Sequence, residues 1–228
     1  MTNRKIWRLT ALGVFLLAEL VLYIQILAPG GSAHYYPAIC LCLAYALTNC
    51  CRAEPWLLGG LACTAGADFF LLICDPIQRL WGMVFFLGTQ ACYGAKLHQG
   101  GRLKWLLPVR AVATAGVVAV AFAVLKENTD ALAIVSICYY VNLALNIVGA
   151  FARFREGRLF AIGLVLFLLC DTVVGLQVMG ELYLPIGEDS LLHRILYPNV
   201  NLAWLFYLPS QVLIALSSGK QKNKEVCL

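Results

Sequence analysis

The chain has 228 residues, of which 61% are hydrophobic and 13% charged, with a mean hydropathy of +0.80. A soluble domain carries about 45–50% apolar and about 25% charged residues, so a water-soluble enzyme or binding module is all but excluded. The net charge of +5 comes from short basic clusters between apolar runs, which reads as membrane topology and lipid-headgroup contact rather than nucleic-acid binding.

An apolar run of about 20 residues crosses a bilayer as a helix. In chain order the sequence predicts eight spans, at about 6–28, 35–51, 55–75, 77–97, 103–125, 130–152, 158–180 and 195–217. The expected fold is therefore an all-α, polytopic transmembrane bundle forming one domain over residues 1–228. The first span is too long for a signal-peptide core and is expected to be retained. Short connections carry turn formers such as Pro29-Gly30-Gly31, Gly100-Gly101 and Asn128. The longer connection, Glu181 to Arg194, contains Pro185, Gly187, Glu188 and Asp189 and reads as a plain loop or a cap. Cys40, Cys42, Cys63, Cys92, Cys138 and Cys170 fall inside apolar runs, where a thiol acts as a small hydrophobe.

Lysine and arginine set the orientation. Arg4, Lys5, Arg8, Arg52, Lys96, Arg102, Lys104, Arg153, Arg155, Arg158, Lys220, Lys222 and Lys224 fall on one side, against Arg79, Lys126 and Arg194 on the other. By the positive-inside rule both termini are expected to be cytoplasmic, which an even number of spans satisfies. A multi-pass membrane protein follows, in the plasma membrane if the cell is bacterial.

Few acids lie inside spans: Glu19 in the first, Asp68 in the third and Asp171 in the seventh. A bare carboxylate in hydrocarbon costs at least about 2.5 kcal/mol, so an intramembrane acid marks a functional site by default. The bland alternative for each is a structural hydrogen bond to a neighbouring helix. Asp68 follows Gly60 by eight residues and Asp171 follows Gly163 by the same step. The acids are thus depth-matched, about 20 Å from the cytoplasmic ends of their helices, and spans 1–4 and 5–8 are expected to form a parallel four-plus-four repeat. Two carboxyls close together in low dielectric cannot both ionise readily. One then donates a proton while the other activates water.

Arg110, inside the fifth span, is expected either to reach a carboxylate or, by slight preference, to snorkel to the headgroups. The fourth span carries Gly82-x-x-x-Phe86-x-x-x-Gln90-x-x-Tyr93, with Phe86, Gln90 and Tyr93 on one face. The sixth adds Tyr139, Asn142 and Asn146 on one face; from this span Tyr140 and Asn146 are expected to contact substrate. The eighth carries Tyr207-Leu208-Pro209-Ser210-Gln211, where Pro209 frees a backbone carbonyl suited to a helix lining a cavity. Singly such groups are often interhelical glue worth about 0.6 kcal/mol, but together with two acids they read as a polar cavity. His34, His98 and His193 sit in loops or at helix ends, so no metal site and no cofactor are expected.

Gly-Ala-Asp68-Phe-Phe-Leu-Leu, Gly82-x-x-x-Phe86-x-x-x-Gln90-x-x-Tyr93, Leu-Cys-Asp171-Thr172 and Tyr207-x-x-x-Gln211, in this order, resemble the YhhN-like lysoplasmalogenase family of eight-span membrane proteins. Gln90 stands where many members carry a histidine in an Ala-His-x-x-Tyr pattern, so its role here is hydrogen bonding. Cys170 replaces a commoner serine before the second acid. The resemblance implies hydrolysis of the vinyl ether of lysoplasmalogens to a fatty aldehyde and a glycerophospho-headgroup. Asp68 and Asp171 are then the acid and base, taken here as Asp171 acid and Asp68 base although the sequence does not distinguish the two, with Gln90, Tyr93, Tyr207 and Gln211 positioning water and the polar head. The expected partners are the lysophospholipid substrate and membrane lipids, and a homodimer is allowed. The alternative is a small lipophilic-substrate or proton-coupled carrier, in which paired acids pass protons along a pathway.

Overall fold

A computed structural model describes residues 3–28, 30–49, 54–99, 101, 103–126, 130–182, 187, 190–198 and 201–218. The expected turn residues Pro29, Gly100 and Asn128, the loop arginines Arg52 and Arg102, the tail lysines and the centre of the Glu181–Arg194 connection lie outside these. The described chain is helical: α1 (Asn3–Leu27), a 3₁₀ turn (Gly31–His34), α2 (Tyr35–Asn49), α3 (Pro55–Asp68) with a π turn (Phe69–Ile73), and α4 (Arg79–His98). Then come α5 (Leu106–Leu125), α6 (Ala131–Ala152), α7 (Arg158–Leu182), α8 (Leu191–Leu196) and α9 (Leu202–Ser217).

Local chemistry sets several of these limits. Pro55 opens α3, where its missing N–H costs nothing. Asp130 caps α6 by accepting from the Ala133 N–H at 2.7 Å, and Ser190 caps α8 by accepting from the His193 N–H at 3.1 Å. The expected last span, 195–217, is instead two helices. α8 ends before Pro198, which disfavours helical backbone in the residue ahead of it, and α9 restarts at Leu202 under an Asn201 cap.

Among the described residues, five helices are long and apolar enough to cross a membrane: Ile6–Leu27, Pro55–Ile73, Leu106–Val124, Ala131–Ala152 and Arg158–Val178. Eight spans were expected; of the other three, α2 and α9 are shorter, at 15 and 16 residues, and α4, at 20 residues, is less apolar. Polarity runs from the inside out. Val14, Leu17, Val112, Val120 and Val124 are exposed, whereas Asp68, Thr89, Gln90, Asn146, Ser210 and Gln211 are buried. In hydrocarbon this is the arrangement that spares polar groups from lipid.

The tightest helix pairs are α3 with α4 and α7 with α9. In each pair the glycine eight residues before the acid lets the backbones approach. A Cβ on Gly60 would lie 2.1 Å from Tyr93 Cε1, and one on Gly163 would lie 2.8 Å from Ile214 Cγ1. The order of neighbours recurs across the chain: α2 packs on α3 as α6 packs on α7, and α4 crosses to α6 as α9 crosses to α2. This is the packing that a four-plus-four repeat generates. Tyr23, near the end of α1, donates to the Leu205 carbonyl near the start of α9 at 3.0 Å, so the two helices run antiparallel and the first and last described residues lie at one end of the bundle.

Candidate active site

Asp68 is the last residue of α3 before the π turn, and π turns are frequent at functional sites. Its side chain faces the interior, 4% exposed, and its Oδ2 accepts a hydrogen bond from the Tyr207 hydroxyl on α9 at 2.5 Å. Asp171, halfway along α7, is half-buried and accepts at Oδ2 from the Tyr139 hydroxyl on α6. Four different helices therefore supply two phenol–carboxyl pairs.

The pairs share an aromatic wall. Phe167, one turn before Asp171, has its ring 5.5 Å from Tyr207 and 6.4 Å from Tyr139. Phe86 of α4 completes the wall, 5.6 Å from Tyr139 and 5.7 Å from Phe167. Tyr207, which holds Asp68, and Tyr139, which holds Asp171, both pack on Phe167, so this wall links the two acids. Each acid keeps one phenol O–H donor on its Oδ2. The set can hold one protonated and one charged carboxyl, separated by ring faces that stabilise a passing cation.

Other expected site residues lie one or two turns from the acids, toward the end that carries the termini. Gln90 follows Phe86 by one turn; its Oε1 and backbone carbonyl accept from Asn146 Nδ2 at 3.0 and 2.9 Å. Gln211 follows Tyr207 by one turn and donates to Ser210 Oγ at 3.1 Å. Tyr93 packs edge-on to Phe160 at 5.2 Å. Among the described residues, buried Gln90 Nε2 and Gln211 Oε1 have no hydrogen-bond partner, so this polar layer keeps an unused donor and an unused acceptor beneath the acids.

Tyr140 does not join the site. It is 40% exposed, and its hydroxyl meets Thr172 Oγ1 at 2.9 Å on the outer face. Tyr139 takes the inward position, and the helical period holds the reason: Tyr139 shares a face with Asn142 and Asn146, whereas Tyr140 is turned about 100° away. Arg110 neither reaches a carboxylate nor snorkels. Its two terminal nitrogens donate to Asn142 Oδ1 and Asn146 Oδ1, each at 2.7 Å. Glu19 stays apart from the acid pair, accepting from Cys42 Sγ at 3.2 Å between α1 and α2. The carbonyl that Pro209 frees, four residues back at Leu205, is taken by Tyr23 rather than turned to the cavity. The wall residues Phe86 and Phe167 are what sequence reasoning missed as a pair. Phe86 was visible one turn from Gln90, but Phe167 lies in a run of leucines with nothing to distinguish it.

The model of the YhhN family matches residues 32–218, from the 3₁₀ turn before α2 to the end of α9. No curated protein and no solved structure matches the chain. With four-fifths of its length matched, including both acids and both phenols, the chain belongs to the YhhN family.

Proposed function

We propose that this protein hydrolyses the vinyl ether bond of lysoplasmalogens within the membrane. The observation that carries the reading is the pair of inward-facing acids, each held by one phenol and joined by the Phe86–Phe167 wall. An enol ether breaks when its carbon, not its oxygen, takes a proton. Asp171 in its acid form delivers that proton to the outer vinyl carbon, leaving an oxocarbenium ion on the carbon bonded to the ether oxygen. The rings of Phe86 and Phe167 and the charge on Asp68 stabilise the cation. Asp68 then takes a proton from water as the water oxygen adds to that carbon, giving a hemiacetal. Collapse returns a proton from Asp68 to the departing glycerol oxygen, while Asp171 recovers one from the hemiacetal hydroxyl. One water is consumed, aldehyde and glycerophospho-headgroup leave, and both acids regain their starting forms. The division of labour parallels the two-carboxylate logic of glycoside hydrolysis.

The test uses purified protein in detergent micelles with 1-alkenyl-glycerophosphoethanolamine, following aldehyde release. Asp68→Asn and Asp171→Asn are each expected to lower kcat by about 10²–10⁴-fold, the usual contribution of general acid–base catalysis. Undiminished turnover in either variant would remove that acid from the mechanism. Transport of intact lipid into vesicles without aldehyde would replace the hydrolase with a carrier.

A further inference from the structure

Depth within the bundle decides where a headgroup can sit. From Asp68 back to Pro55 is 13 residues, but forward to the end of the π turn at Ile73 is only five. Tyr207, which holds Asp68, likewise lies five residues after the start of α9. At about 1.5 Å per residue, the acid is about 20 Å from the end carrying the termini and about 8 Å from the opposite end. In a lysophospholipid, five bonds of about 1.5 Å separate the sn-1 ether oxygen from phosphorus, about 6 Å along the zigzag. A headgroup attached to an ether at the acids therefore reaches only the end opposite the termini.

A cleft of about 300 Å³ opens at that end, lined by Ile26, Leu27, Gly31, Ser32, Tyr35 and Asn201. An aromatic ladder joins it to the acid. Tyr207, bonded to Asp68, meets Trp204 edge-on at 5.0 Å, and Trp204 stacks on Tyr35 at 4.1 Å. The Tyr35 hydroxyl accepts from Asn201 Nδ2 at 3.0 Å. Tyr36, the next residue, has its ring 6.2 Å from that of Phe69, the residue after Asp68. Among the described residues the lining holds an aromatic phenol, an amide and a hydroxyl but no charged side chain, which suits a zwitterion: the ammonium against the Tyr35 ring, the phosphate toward Asn201 and Ser32. A second cleft of about 290 Å³, with Lys96, Arg153, Glu54 and Glu156, carries more charge but lies at the other end, about 20 Å from the acids and out of reach of the same lipid.

We infer that the Tyr35–Asn201 cleft seats the phospho-ammonium headgroup of the lysolipid whose ether lies at Asp68 and Asp171, an inference that rests on the hydrolase reading. The experiment compares 1-alkenyl-glycerophosphoethanolamine with 1-alkenylglycerol, which lacks the headgroup, in Tyr35→Ala, which empties the cleft wall, and in Ser32→Phe, which fills the cleft. Both variants are expected to raise KM for the phospholipid about tenfold, equivalent to losing one cation–π contact, and to affect the neutral substrate less. Equal effects on the two substrates, or none, in both variants overturn the assignment. Binding of the saturated 1-O-alkyl-glycerophosphocholine, which cannot be cleaved, separates the two readings. Tyr35-dependent binding by a protein that releases no aldehyde would sink the hydrolase and keep the cleft. Aldehyde release with Tyr35-independent binding would sink the cleft alone. Inorganic phosphate is expected not to compete; competition by phosphate equal to that of glycerophosphoethanolamine would make the cleft a simple anion site and overturn the proposal.

Discussion

Each of the two carboxyls is held by one phenol, and a hydrogen bond to a charged group is worth about 1.5–3 kcal/mol. If those bonds set the protonation and aim of the acids, Tyr139→Phe and Tyr207→Phe each lower kcat for aldehyde release about 10- to 150-fold. Tyr140→Phe loses only the contact with Thr172 on the outer face and is expected to stay within about twofold, as surface changes do. The reverse order of effects would move the site to the outside of α6. The acids themselves were legible, because a carboxyl in an apolar run has few uses. Their partners were less so. Tyr139 and Tyr140 are adjacent, and only the shared face with Asn142 and Asn146 singles out the first. For Arg110 no local pattern foretold that two asparagines on the next helix would take its guanidinium.

Helix pairs are held close by small residues rather than by the hydrophobic effect, which lipid does not supply. Gly60 and Gly163 each face a side chain or backbone that a Cβ would strike, whereas Gly116 of α5 has nothing within 4 Å. Gly60→Ala and Gly163→Ala are therefore expected to destabilise by about 1–3 kcal/mol through overpacking, and Gly116→Ala to stabilise slightly through helix propensity. Thermal unfolding in detergent, read by circular dichroism, checks this; equal midpoints for all three would refute the close approach. At this scale the sequence marked both glycines, through their common step to an acid. It did not reveal the π turn after Asp68 or the break between α8 and α9. The first has no compositional signature. The second turns on Pro198 and the Asn201 cap within a run that is apolar on both sides.

Composition alone was enough to announce a helical membrane bundle, since a chain so poor in charge has nowhere else to put its apolar surface. Which helices meet was harder to read. Asp68 and Tyr207 are 139 residues apart, Tyr139 and Asp171 32, and hydropathy says nothing about neighbours. The recurrent packing of α2–α3–α4 and α6–α7–α9 shows how the chain solves this: each half brings its own acid to the centre, and the crossings of α4 to α6 and α9 to α2 lock the halves together. The central claim is that the two acids work as one device. Its most direct test is aldehyde release by Asp68→Asn, Asp171→Asn and the double variant together. Residues that act as a unit are grossly non-additive, so the double variant should be no slower than the slower single one. A double-variant rate equal to the product of the two separate losses would contradict the account, showing two acids that act independently.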